Sequence, residues 1–351
     1  MTVENISSFD ENAAGNPDNT IFGLPFAFED AKLVILPVPW EVTVSYGSGT
    51  ARVAEHIFKA SLQVDILDAD YPKCWQSGIY LMPVDKDLLL KNDYLRKEAE
   101  LFMEYISHGD NPDSNKFMCK SLKDINEGGQ YLNDWVHTQT SDLMKKGKLV
   151  GLLGGDHSTV LGFWKAQAER HENFGILQID AHCDLRRGYQ KLKYSHASVC
   201  YNALEEIPAI QRIVQVGVRD YSQGEWDIVE QNGNRLQVYR DALIKERLYT
   251  GSNWKEICDE IITQLPQVVH ISFDIDGLDP KLCPNTGTPV PGGLEMDQAI
   301  YLLKQVVASG RKVIGFDLVE VALGVANNEW DSNVGARLLW KLCNLFIYSN
   351  Q

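Results

Sequence analysis

With 351 residues, 44% of them hydrophobic and 23% charged, the chain can bury a substantial core in one large α/β domain or two ordinary ones. The 33 basic and 48 acidic residues leave a formal net charge of −15, which argues against nucleic acid or an anionic membrane as partner, since both call for a positive surface. Seven scattered cysteines without a C-x-x-C pair indicate reduced thiols; there is no basic or apolar leader after Met1 and no run of about 18 apolar residues, so a cytoplasmic location is expected.

Residues 1–30 begin polar and turn apolar at Ile21 to Phe26, as an N-terminal arm that packs on its own body or on a neighbouring subunit. Leu33 to Val38 reads as a first strand. The loop from Trp40 to Thr50 is rich in glycine and hydroxyls but lacks the G-x-x-x-x-G-K-[ST] spacing of a phosphate loop, so a pocket wall is expected. A helix follows from about Ala51 to Leu62, and the stretch from Asp85 to Met144 is helical in pattern, interrupted by a loop at 108–114. His108 and His137 have no partner pattern and are expected at the surface. From there strands at about 148–153, 174–179, 213–218, 268–273 and 312–316 alternate with helical patterns such as Asp297 to Lys304. Strand-helix alternation of this kind implies an α/β class with a parallel sheet and helices on both faces. No repeat or linker divides residues 31–351, which are expected to form a single domain.

Three of these strands end in residues suited to a metal. Phe174 to Leu177 leads into Asp180, His182 and Asp184, each two apart, which an extended backbone would aim to one side. Cys183 would then point away and pack. Val268 to Phe273 leads into Asp274 and Asp276, and Leu149 to Leu153 into a glycine turn, Asp156 and His157. A surface turn could account for any one of these stretches; three strands delivering carboxylates and imidazoles at their carboxyl ends describe one site, at the edge where open α/β sheets bind ligands. Four carboxylates and two imidazoles are too many for one tetrahedral zinc and include no thiolate. Oxygen-rich sites with some imidazole suit Mn²⁺, ahead of Mg²⁺, Fe²⁺ or Co²⁺, and two ions about 3.5–4 Å apart would use all six residues and supply a hydroxide nucleophile near neutral pH.

Gly154-Gly155-Asp156-His157-Ser158, Asp180-Ala181-His182-Cys183-Asp184 and Ser272 to Pro280 resemble the three signatures of the ureohydrolases, the family of arginase, agmatinase and formiminoglutamase, over about residues 30 to 345. The resemblance implies a three-layer α/β sandwich with a mostly parallel sheet of about eight strands, a binuclear Mn²⁺ centre and a homo-oligomer, trimer or hexamer. It assigns His157, Asp180, Asp184 and Asp274 to one ion and Asp180, His182, Asp274 and Asp276 to the other, with Asp180 and Asp274 bridging. It also implies that His196 shuttles protons and that Glu320 holds a guanidinium; with Asp184 these two make up the expected catalytic residues. A neutral-range imidazole suits proton delivery to a leaving amine, and a carboxylate can grip a guanidinium with two hydrogen bonds.

The substrate is then a small guanidino compound. Where arginases carry a Thr- and Asn-rich loop, this chain has Leu185 to Tyr194, which looks more like the agmatinase type, and Ser222 stands where arginases place a second Asp. Agmatine, cleaved to putrescine and urea, is the expected substrate. Guanidinobutyrate, guanidine, arginine and formiminoglutamate are alternatives, the last with Arg186 or Arg187 as partner for its carboxylates. A non-catalytic metal-binding homologue is a further alternative, but it would be expected to lose one of the eight positions, all present here.

Overall fold

A computed structural model describes residues 9–324 and 328–351, so the first eight residues of the expected arm lie outside the described residues. The chain runs β1 (Leu33–Val38), α1 (Val53–Ser61), β2 (Ile79–Leu81), α2 (Lys86–Ser107) and α3 (Lys116–Lys145). It continues through β3 (Leu149–Gly154), α4 (Leu161–Ala168), β4 (Phe174–Ile179), α5 (Val199–Glu206) and β5 (Ile210–Val218). The last part is α6 (Gln223–Gln231), β6 (Leu236–Arg240), α7 (Asp241–Tyr249), α8 (Trp254–Gln264), β7 (Val268–Asp274), α9 (Met296–Ala308), β8 (Lys312–Val319) and α10 (Trp330–Tyr348).

The eight strands form one sheet in the order β2-β1-β3-β8-β7-β4-β5-β6, and every strand pairing in it is parallel. The inner strands are buried on both faces, because each is a near-continuous apolar run covered by helices from two sides. Two apolar layers result. One packs β1, β7 and β8 side chains such as Ile35, Ile271 and Phe316 against α1, α9 and α10; the other packs Val34, Leu152 and Ile176 against α2, α3 and α4. This is the three-layer sandwich expected. The arm packs on its own body: Ile21 and Phe22 are fully buried, and the Phe22 ring lies 4.8 Å from that of Trp340 on α10.

β2 and β6 are the two strands absent from the sequence reading, and they are the two edges of the sheet. Both are short and only partly buried, so neither shows the apolar run that reveals the inner strands. β8 also continues three residues beyond the expected end, to Val319. The register aligns the carboxyl ends of the four middle strands, with Leu153 opposite Leu318, Asp274 opposite Val319 and Ile179 opposite Phe273. Whatever follows those strands must therefore meet at one sheet edge.

Candidate metal centre and active site

Beyond β3 the chain passes through Gly155, where a side chain is excluded: a Cβ there would come within 1.7 Å of the Trp40 carbonyl oxygen. That close approach lets the Asp156 N–H donate to the same carbonyl at 2.8 Å. The Asp156 carboxylate then caps the short helical turn His157–Val160, accepting from Ser158 N at 3.0 Å, and the His157 ring is carried over the ends of β7 and β8.

After β4 the stretch 180–184 stays extended only in part. Asp184 has φ +53°, in the left-handed region that few non-glycine residues occupy, so simple alternation does not place it. The bend brings Asp184 Oδ2 to 3.0 Å from His157 Nδ1. Cys183 is fully buried in the apolar layer, as expected. After β7, Asp274 accepts from the Asp276 N–H at 2.8 Å, and Asp276 accepts from the Ala181 N–H at 2.9 Å, which ties the two acidic stretches together.

The six expected ligands converge. His157 Nδ1 lies 3.0 Å from Asp180 Oδ2, 3.0 Å from Asp184 Oδ2 and 3.3 Å from Asp274 Oδ2. His182 Nδ1 lies 3.1 Å from Asp276 Oδ2 and 3.5 Å from Asp180 Oδ1. Two groups have ligand atoms close enough to share an ion: His157, Asp180 and Asp274, and Asp180, His182 and Asp276. Asp180 belongs to both.

The donor set fits divalent cations on two counts. First, His157 Nε2 is committed to Ser272 Oγ at 3.0 Å, and that hydroxyl donates to Asp317 Oδ1 at 2.8 Å. Its Nδ1, ringed by three carboxylate oxygens, makes no aligned hydrogen bond, and neither does Asp184 Oδ2. A nitrogen oriented by its other N–H and aimed into oxygen atoms is how a metal-binding imidazole is held. Second, negative charge is in excess. Burial and the nearby Asp180 push Asp184 up to about 7, and burial with Asp276 and Asp180 raises Asp274 well above the carboxylate range. Burial works against charge on both imidazoles, yet the carboxylates outweigh it and raise His157 and His182 well above their usual value. Protons are thus drawn to where cations would sit. Asp180 is lowered, since its contacts with His157 and His182 outweigh its burial.

Glu320 follows β8 directly, also at positive φ, +61°. Two strained non-glycine residues at one site mark it as over-determined by its surroundings. Glu320 Oε1 accepts from the His157 N–H at 2.9 Å, while Oε2 is buried and unpartnered. Gly287 leaves the necessary room, for a Cβ there would stand 2.8 Å from Oε2. Burial, then the neighbouring Asp156, raises the Glu320 carboxyl well above its usual range.

His196 opens a short turn before α5, and its Nδ1 lies 3.4 Å from both Thr43 Oγ1 and Ser195 Oγ. Burial, then the positive His182, pushes it down to about 3. His157, His182, Asp184 and Asp274 of the cage line one cavity of about 130 Å³ together with His196 and Glu320, with Ser45, Asp220 and Thr288 on its wall. It shares Arg186, Tyr189 and Glu225 with an adjoining groove of about 570 Å³. A larger groove of about 1120 Å³ lies between the arm, α1 and α2 and includes none of the cage residues, so size does not locate the chemistry here.

Both arginines considered for carboxylate binding have protein partners. Arg186 Nε is 3.6 Å from Glu225 Oε2 and its guanidinium lies 4.8 Å over the Tyr189 ring, while Arg187 lies 5.4 Å over Tyr201. Ser222 caps α6 in a reciprocal arrangement with Glu225. His108 is exposed and His137 pairs with Glu169 at 2.8 Å, and neither belongs to the groups of ligand atoms. Asp220, Thr288 and Tyr189 escaped the sequence reading as pocket residues. Ser45 lay in the loop already read as a wall, whereas nothing in the sequence around Thr288 singles it out.

Known proteins give the same answer. The model of the arginase family matches residues 31–344. An N(1)-aminopropylagmatine ureohydrolase of Thermus thermophilus is 28% identical over 313 residues, 84% of each chain. Human arginase-1 is 28% identical over 257 residues, covering 67% of this chain and 77% of its own. The agmatine ureohydrolase of Thermoplasma volcanium superposes over 99% of this chain and 96% of its own with a TM-score of 0.68 at 24% identity, a likeness of fold. With a matching family model across nine-tenths of its length, the chain belongs to the arginase family, the ureohydrolases, and is a hydrolase of that family.

Proposed function

We propose that the protein hydrolyses agmatine to putrescine and urea with two Mn²⁺ ions, one held by His157, Asp180, Asp184 and Asp274 and the other by Asp180, His182, Asp274 and Asp276. The observation that carries the guanidino chemistry is Glu320, a buried carboxylate with one unpartnered oxygen on the wall of the cage cavity. When bound, the ions supply positive charge that makes water a competent nucleophile at neutral pH. Glu320 takes two N–H groups of the planar guanidinium and fixes its carbon over the cage. A C–O bond forms at that carbon, the C–N bond to the alkyl nitrogen breaks, and the proton released by water reaches the departing amine through His196. The products are urea and a diamine, which would place the enzyme in polyamine supply. We extend the reading to a cytoplasmic trimer or hexamer, for which light scattering is the check.

The choice of agmatine rests on the far end of the cavity. Ser222 is occupied in the α6 cap, and Glu225 accepts from Ser222 and Leu185 and lies beside Arg186. Asp220 remains as an exposed carboxylate at the mouth, suited to a terminal ammonium. The α-carboxylate of arginine would lose hydration there, and Arg186 on the wall is already drawn to Glu225 and Tyr189. Agmatine is therefore expected to show a kcat/KM at least ~10-fold above arginine, about 1.4 kcal/mol of transition-state binding. Urea release measured side by side on purified, Mn²⁺-loaded protein is the check. Equal or reversed preference removes agmatine while leaving ureohydrolase chemistry standing. Arg186 at the groove favours one second reading, a guanidino acid such as guanidinobutyrate, and that compound belongs in the same assay. Glu320→Gln should depress every substrate alike, because all share the guanidinium.

A further inference from the structure

The loop after β1 places Ser45 on the cavity wall and sets Thr43 against His196. The loop is held firmly. Glu41 Oε2 accepts from Gly49 N at 2.6 Å, Thr50 Oγ1 at 3.2 Å and Ala51 N at 3.2 Å, drawing its two ends together. Arg96 donates to the carbonyls of Val42 and Val44, on either side of Thr43. Gly47 N donates to Gly287 O at 2.9 Å, docking the tip on the far wall. Thr43 itself is 4% exposed.

The hydrogen bonds around Thr43 join Asp156 to His196. Asp156 Oδ1 accepts from Ser158 N and Ser158 Oγ, while Oδ2 faces Thr43 Oγ1 at 3.1 Å and Thr43 N at 3.4 Å. Thr43 Oγ1 thus bridges Asp156 and His196. It accepts from the His196 N–H at 3.0 Å and lies 3.4 Å from His196 Nδ1. Ser195 Oγ shares Nδ1 at the same distance and already accepts from Ala197 N at 3.3 Å.

We propose that Thr43 is a positioning residue for His196: held by Asp156, its hydroxyl accepts from the His196 backbone N–H and, with Ser195, engages Nδ1, so that the ring is fixed with Nε2 as the nitrogen left to exchange protons. The inference rests on the ureohydrolase reading above and adds to it a residue from a different segment of the chain. A proton-transfer group works only when it is held within hydrogen-bond reach of the atoms it serves. With Nδ1 engaged by two hydroxyls, the ring is held in one orientation and Nε2 is the nitrogen left free. The Asp156–Thr43 pair thus links His196 to the same turn that positions His157, and three segments distant in sequence close on one another.

The test is Thr43→Val, which keeps the shape and removes the hydroxyl, beside Thr43→Ser, which keeps the hydroxyl. For Thr43→Val on Mn²⁺-loaded protein, kcat for agmatine should fall ~10- to 10²-fold, part of the ~10²–10⁴ that a proton-transfer group contributes, with KM held within ~3-fold and Mn²⁺ content at the wild-type level. Thr43→Ser should recover kcat to within ~3-fold of wild type. A Thr43→Val enzyme within ~2-fold of wild type overturns the proposal, and so does a loss that Thr43→Ser shares or that comes with metal depletion. If the wild type releases urea from no guanidino compound, the substrate reading fails on its own account. The proposal is then decided by a crystal structure of Mn²⁺-loaded Thr43→Val: a displaced or rotated His196 ring supports it, and an unmoved ring refutes it.

Discussion

Asp274→Asn should abolish turnover and strip metal together, while leaving the metal-free fold at least as stable as wild type. Asp274 is 3% exposed, lies 3.3 Å from His157 Nδ1 through Oδ2, and uses Oδ1 to hold the Asp276 N–H. An amide keeps the size and one acceptor oxygen but loses the negative charge that offsets two cations. If it bridges both ions, neither stays well held. Loss of at least ~10³ in kcat is expected, about 4 kcal/mol at ~1.4 kcal/mol per decade. Metal analysis after Mn²⁺ reconstitution should fall from near two ions per chain to one or fewer. A wild-type value of one with full activity would sink the bridged model.

The stability half has a sign that can be worked out. Burial, with Asp276 and Asp180 alongside, raises the Asp274 carboxyl well above its unfolded value. A carboxyl with a raised native pKa binds its proton more tightly folded than unfolded, so its contribution to metal-free stability falls as pH rises through the unfolded pKa towards the native one. At neutral pH it is a burden to the metal-free protein, and a neutral amide removes it. Thermal unfolding in chelator should therefore show no loss for Asp274→Asn, whereas in excess Mn²⁺ the wild type should be selectively raised, because ligand binding stabilises only the state that holds the ligand. A variant that melts early in chelator would have lost the fold, and its inactivity would say nothing of metal.

Why the cage could be read from sequence while its surroundings could not is a matter of range. Asp180, His182, Asp274 and Asp276 stand directly after apolar strands that are buried on both faces, so local pattern reveals both the strand and what it delivers. The edges β2 and β6 lack that pattern because only one side of each is paired and their side chains are partly exposed. The positive φ of Asp184 and of Glu320 is imposed by packing, and neither residue type announces it. Thr43 contacts Asp156 across 113 positions and His196 across 153, and such pairing has no local signature. The first layer of chemistry follows strand ends; what orients it comes from loops that only the folded chain brings together.

His196→Ala should lower kcat by ~10²–10⁴ with metal content unchanged, the range expected for a lost proton-transfer group. His196 lines the cage cavity and belongs to neither group of ligand atoms that could share an ion, so its removal leaves the six carboxylate and imidazole ligands in place. Its environment also says which kind of proton transfer to expect. Burial, the largest influence on His196, disfavours the charged ring, so the resting imidazole is neutral and can take a proton before it gives one. Water must lose a proton as the C–O bond forms, and the alkyl amine must gain one as the C–N bond breaks. A neutral ring whose Nδ1 is already engaged by hydroxyls can accept the first at Nε2 and surrender it to the second. Without that ring the amine must leave as an unprotonated anion or wait for bulk water, and the cavity of about 130 Å³ has little room for water beside substrate. KM should stay near wild type, since guanidinium binding rests with Glu320. A His196→Ala protein that arrives metal-depleted would mean that the residue is a ligand. One with near-normal kcat would mean that the proton travels by another route, for which the Thr288 hydroxyl on the same wall is the first candidate.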